Sequence, residues 1–150
     1  MINIFLKIAL GLILTGIIIQ FYPIDRSVKK LPKSYDILRQ EKAPQKIAYS
    51  IKKACYDCHS NETQYPNYAL YAPLSWYIEF HIEEGRKNAN FSKWKKYDQD
   101  QKNSIIKNSI ETLENQSMPL KSYLYKHPEA HLLPEDRETL IAWFKSLYTQ

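Results

Sequence analysis

Residues 55–59 read Cys55-Tyr56-Asp57-Cys58-His59, and the meaning of the chain turns on them. These two cysteines are the only ones among 150 residues, so no disulfide framework exists for them to join. Cys-x-x-Cys-His is the attachment spacing of a c-type haem. Three positions on a helical turn bring both sulfurs to one edge of a flat ring. There, each thiol can add across a vinyl group to give a thioether. The imidazole that follows directly falls beneath the iron and binds it. Cys55 and Cys58 are therefore the expected covalent attachment points, and His59 the expected proximal iron ligand. Three other uses of the motif compete. A thioredoxin-like redox pair requires a preceding strand and a βαβ context, and neither is visible. A zinc site requires a fourth ligand, which His81, His127 or His131 could supply. A disulfide between Cys55 and Cys58 leaves His59 without a role.

The rest of the chain bounds the setting. A length of 150 residues allows one domain once any targeting segment is set aside. Hydrophobic residues make up 44%, enough for a real core. Three glycines argue against glycine-rich nucleotide loops. Lys and Arg number 21 against 16 Asp and Glu, a modest excess without a block of five or six like charges. A nucleic-acid arm is not expected, and the lysines suit a solvated face or an acidic partner. Twelve Tyr, three Trp and five Phe suit a flat aromatic ligand or an interface as well as a core.

Residues 8–21, IALGLILTGIIIQF, are apolar apart from Thr15 and Gln20, and Lys7 precedes them. As a helix, Ile2 to Tyr22 spans about 31 Å at about 1.5 Å per residue, enough to cross a bilayer. No small-x-small cleavage site follows, so residues 1–22 read as an uncleaved anchor rather than a removed signal. Residues 23–43, with Pro23 and Pro32, read as a polar, extended tether that would let the domain swing. Residues 44–150 form the expected haem-binding domain. Arg26, Lys29, Lys30 and Lys33 just after the span, taken alone, place that domain in the cytoplasm. Covalent haem attachment requires the outer side, and the expectation follows the chemistry: a single-pass protein of the cytoplasmic membrane, haem domain in the periplasm.

The body patterns as helices and loops. Pro44 suits the opening of a helix bearing Ile47, Ile51 and Cys55 on one face. Asn61 to Ala72 reads as a loop, and Pro73 to about Gly85 as a second helix. Asp98 with Gln101 resembles a capping box before Ile105, Ile106, Ile110 and Leu113. Asn115 to Leu133 reads as a loop. Pro134, Glu135 and Asp136 open a last helix with Leu140, Ile141, Trp143 and Phe144 on a wide apolar face. No stretch alternates as a strand, so the expected class is all-α.

Met118 is the only methionine besides Met1, and it stands in a loop directly before Pro119. A lone thioether there suits the distal face of the iron, where soft sulfur favours the ferrous state. His81, on the second helix with Leu74, Ile78 and Ile82, is the rival distal ligand or else a core histidine. Arg86 is the candidate partner for haem propionates, with Tyr71, Trp76 and Trp94 as possible donors. Glu83 and Glu84 are adjacent, which does not support a paired-carboxylate catalytic site.

The stretch CYDCHSNETQYPNYALYAPLSWYIEFHIEEGRKNANFSKW, followed later by MPLKSYLYKHPEAHLLPEDRETLIAWF, resembles the bacterial haem-binding domain family common in Bacteroidetes. The likeness covers roughly residues 44–148. It rests on Cys55, Cys58 and His59, on Ser75-Trp76, on His81 to Arg86 and on Met118-Pro119-Leu120. It implies a cytochrome c-like domain behind an N-terminal anchor, with one covalent haem and an extracytoplasmic location. The order of haem motif, Met-Pro loop and aromatic terminal helix is similar to class I cytochromes c. The function expected is one-electron transfer between redox proteins on the outer face of the membrane, without enzymatic turnover. A haem-based sensor or peroxidase-like protein with a vacated sixth position is the alternative, and a zinc-stapled interaction module a third. Because haem would supply much of the core, the apo-domain should be loosely packed.

Overall fold

The computed structural model describes residues 3–148, and among them there is no strand. Eight α-helices follow in order: α1 (Ile4–Ile18), α2 (Ile37–Gln40), α3 (Gln45–Ala54), α4 (Tyr56–His59), α5 (Leu74–Asn88), α6 (Gln99–Glu114), α7 (Lys121–Lys126) and α8 (Pro134–Leu147). Short 3-10 turns cover Ile19–Phe21, Lys33–Tyr35, Asn67–Leu70, Phe91–Lys96 and Pro128–Ala130. The all-α expectation holds.

Local sequence explains most boundaries. Asp98 accepts from the Gln101 amide at 2.8 Å, and the Gln101 side chain accepts from the Asp98 amide at 3.1 Å. That reciprocal box satisfies two orphan donors and opens α6. α8 begins with Pro134 at its first position and carries Glu135 and Asp136 in its first turn and Lys145 in its last. Each charge opposes the helix dipole end beside it. α3 buries Ile47, Ile51 and Ala54 on one face and turns its lysines outward.

The core joins α3, α4, α6 and α8. Ile51, Tyr56, Phe91, Trp94, Ile106, Leu140 and Phe144 meet there. α6 and α8 pack along each other, and α4 lies against α5. Trp143 and Phe144 are buried, as read from the sequence.

Two stretches fold where loops were expected. The reading of residues 23–43 as one extended tether needs correction. Pro23–Pro32 has no helix, but Ile37 and Leu38 on α2 enter the core. Asp36 caps α2 by accepting from the Leu38 amide at 3.0 Å, and its Oδ1 also accepts from the Tyr56 hydroxyl at 2.7 Å. Glu41 accepts from the buried Trp94 indole. An apolar pair inside a polar stretch finds its partners only in three dimensions. Residues 115–133 likewise contain α7 and the turn Pro128–Ala130, where Tyr123 and Ala130 pack inward.

α1 is apolar apart from Lys7 and Thr15 and buries nothing. Together with the following turn it forms Ile4–Phe21, long and apolar enough by composition to cross a membrane, with a mean hydropathy of 2.3.

Candidate functional site

α3 ends at Ala54, and the chain turns at Cys55 into the single-turn helix α4. The His59 amide donates to the Cys55 carbonyl at 2.8 Å, which closes the turn and holds the motif compact. Asp57, between the cysteines, is pinned from three directions. Its Oδ2 accepts from the Tyr123 hydroxyl at 2.8 Å, its Oδ1 from the Gln64 amide at 2.9 Å, and its carbonyl from Thr63 Oγ1 at 2.6 Å.

α5 approaches this turn closely. A Cβ placed on Gly85 would lie 2.7 Å from the Cys58 carbonyl oxygen and 3.0 Å from Cys58 Cβ. Only glycine allows that approach without displacing backbone. Of the three glycines, it is the one outside the N-terminal apolar helix.

The motif opens on a cavity of about 440 Å³, within the usual range for small-molecule and cofactor sites of about 300–1,000 Å³. Cys55, Cys58, His59, His81 and Met118 all line it, although 63 positions separate the first from the last. Leu113 and Ile105 from α6 and Leu140 and Phe144 from α8 supply an apolar wall. A second cavity of about 320 Å³ adjoins it and shares Asp57, Cys58, His81, Leu120 and Tyr123.

The donor set suits an iron-bearing ring. His59 Nδ1–H donates to the Ala89 carbonyl at 3.2 Å, so its Nε2 carries the lone pair. A hydrogen bond of this kind orients a ligating imidazole. Burial holds the His59 pKa below its ordinary value and keeps the ring neutral, as a ligand must be. Burial also pushes the Cys55 thiol up to about 12 and the Cys58 thiol up to about 11. Both are neutral thiols at physiological pH, unlike the thiolates of redox pairs. Met118 sits in the turn after α6, where Arg137 donates to its carbonyl at 2.9 Å and to that of Leu113 at 3.0 Å. The Met118 amide donates to the Thr112 carbonyl at 3.3 Å. One α8 cation thus fixes the loop that carries the thioether.

His81 reaches both cavities. Its Nδ1–H donates to the Tyr77 carbonyl at 2.8 Å and its ring lies 4.1 Å from that of Tyr77. Its Nε2 is thus the nitrogen with a lone pair, as in His59.

The propionate candidates are not gathered here. Arg86, Tyr71 and Trp76 line neither cavity. Arg86 turns toward the loop after α4, with Nε donating to the Ser60 carbonyl and Nη2 to Thr63 Oγ1, both at 2.9 Å. Trp76 donates to the Tyr22 carbonyl at 2.9 Å, and Tyr71 is exposed. Trp94 is buried in the core against Glu41. No three-ligand cluster of His, Cys, Asp or Glu suited to a metal ion occurs among the described residues, so the zinc-stapled reading lacks its ligand set.

Sequence reasoning missed Gly85, Arg137, Asp57 and Tyr123. Scarcity of glycine was the one local signal for Gly85. The other three depend on contacts between distant segments.

An all-α domain that brings two neutral thiols, an oriented imidazole and a thioether onto one apolar cavity has the making of a haem protein. A family model described as a haem-binding domain matches residues 14–146, and the chain belongs to that family. Neither a curated protein nor a solved structure matches it.

Proposed function

We propose that this protein is a membrane-anchored mono-haem c-type cytochrome that carries one electron between redox proteins on the periplasmic side of the cytoplasmic membrane. The observation that carries the reading is the convergence of Cys55, Cys58, His59 and Met118 on a single cavity. Haem iron, when bound, supplies a one-electron ferric/ferrous couple. The chain's own residues do the rest. Cys55 and Cys58 would hold the ring edge as thioethers. His59, oriented by the Ala89 carbonyl, would bind the iron through Nε2. Met118, whose loop is fixed through Arg137, would offer its sulfur as a second ligand. Leu113, Leu140 and Phe144 give the cavity an apolar wall on which a ring could pack. Two protein ligands held in place leave little to reorganise when charge changes, which suits a carrier rather than an enzyme. Ile4–Phe21 anchors the chain.

His81 supports a second reading. It lines the same cavity with Nε2 unengaged by the Tyr77 bond. His81 in place of Met118 would keep two protein ligands and the carrier role, whereas a position left open by both would make the protein a sensor or a peroxidase-like haem protein. The deciding experiment starts with denatured intact mass after export in a host that matures c-type cytochromes. A gain of one haem, lost in Cys55→Ala/Cys58→Ala, is expected, and bare polypeptide mass would overturn the reading. Met118→Ala should then abolish the sulfur-to-iron absorption band and lower the potential. An unchanged spectrum in that variant would remove Met118 and move the assignment to His81 or an open position.

A further inference from the structure

The anchor and the domain are joined by more than a linker. The Gln20 amide clasps Ala72, donating to its carbonyl and accepting from its N–H, each at 3.0 Å. The Trp76 indole donates to the Tyr22 carbonyl at 2.9 Å. The Asp25 amide donates to Glu79 Oε1 at 3.3 Å. The last turn of the apolar helix is thereby seated on the start of α5, and the domain does not hang free from it.

Around that seat, large apolar side chains face outward. Tyr22 is 68% exposed, Tyr71 64%, Phe80 59% and Trp76 38%. Trp76 and Phe80 are four residues apart on α5 and share a face. A single exposed aromatic needs no explanation, but a group of them beside one helix end does. Trp and Tyr concentrate where a bilayer's hydrocarbon gives way to its headgroups, because their rings are apolar and their N–H or O–H groups stay wet. Arg26, Lys29 and Lys30 follow at once and are exposed, suited to headgroup phosphates.

We infer that the face carrying Tyr71, Trp76 and Phe80 lies in the headgroup layer of the bilayer that Ile4–Phe21 crosses, so that the domain is docked on the membrane at a fixed attitude. The occupant of this face is lipid, because the patch is continuous with the helix that enters the lipid. This rests on the anchored reading above. It changes the working picture: the face opposite the membrane, rather than a swinging domain, meets the soluble partner.

The test uses the full-length holoprotein in phosphatidylcholine vesicles. Nitroxide is placed by Tyr71→Cys and Phe80→Cys, with Lys107→Cys on α6 as the control. The parent chain should take up no label, and an unchanged haem spectrum reports folding. Labels at 71 and 80 should collide with oxygen several-fold more than with a water-soluble nickel chelate, relative to position 107. Water-like values at all three, in a chain that resists alkaline extraction, would overturn the docking while leaving the anchor intact. Release at alkaline pH would overturn the anchor, and the docking with it. Protection from both reagents, with dipolar broadening between labels, would assign the face to a second copy and overturn the lipid assignment.

Discussion

Gly85→Ala tests the join between α5 and the Cys-x-x-Cys-His turn. The added methyl would sit 2.7 Å from the Cys58 carbonyl oxygen, 3.0 Å from Cys58 Cβ and 3.1 Å from its carbonyl carbon. Ordinary contact begins at 3.4 Å, so one element must retreat by about 0.7 Å. The turn cannot yield cheaply, because Tyr123, Gln64 and Thr63 all hold Asp57 beside it. Two terms oppose each other. Overpacking costs about 1–3 kcal/mol, and a clash with pinned backbone belongs at the upper end. Alanine in a helix interior returns about 1 kcal/mol relative to glycine. The net is a loss of about 2 kcal/mol. At about 4 °C per kcal/mol for a domain of this size, the thermal midpoint should fall by about 8 °C. The assay is far-ultraviolet circular dichroism of the detergent-solubilised full chain, with the yield of attached haem measured in parallel. Gly16→Ala is the control, since nothing lies within 4 Å of its added Cβ. A midpoint that stays level or rises in Gly85→Ala would refute the close approach, because the helix term would then stand unopposed.

Arg137→Gln should loosen the Met118 loop by removing donors from two carbonyls. A loss of about 1–3 kcal/mol is expected in urea unfolding, together with a weakened sulfur-to-iron band; a stable variant with an unaltered band would refute the clamp. Asp36 titrates above its ordinary value because burial disfavours its charge, and its Oδ2 has no hydrogen-bond partner. Its contribution is therefore complete below the unfolded value of 3.8 and is lost as pH rises through the raised folded value. Asp36→Asn, which mimics the protonated form, should gain most over wild type near pH 7 and lose that advantage as pH falls toward about 4. A difference in urea midpoint that does not vary with pH would exclude this. Cys55→Ala/Cys58→Ala, exported without attached haem, should show a broad, low thermal transition, because the apolar walls of the cavity then face each other across empty space. A sharp transition at the holoprotein's temperature would show that the helices pack without haem.

The sequence alone determined the features whose physics is local. Cys-x-x-Cys-His needs only the geometry of one helical turn. The Asp98–Gln101 box satisfies amides within four residues. The apolar run at the N-terminus is long enough by counting, and α3 and α8 show their buried faces in the spacing of apolar residues. Met118 and His81 were legible as candidate ligands, because a lone methionine before proline and a histidine on an apolar face are conspicuous. Their meeting on one cavity with His59 was not, because it depends on how α5, α6 and α8 pack. The same packing sent Arg86 to the Ser60 carbonyl and Trp76 to the Tyr22 carbonyl, partners that neither residue's type nor its spacing announces. It also drew Ile37 and Leu38 from an apparent tether into the core. A long side chain takes whichever partner lies within about 3 Å of its tip. Residue type and spacing say what a group can bond, and only the tertiary arrangement brings one partner rather than another within that reach.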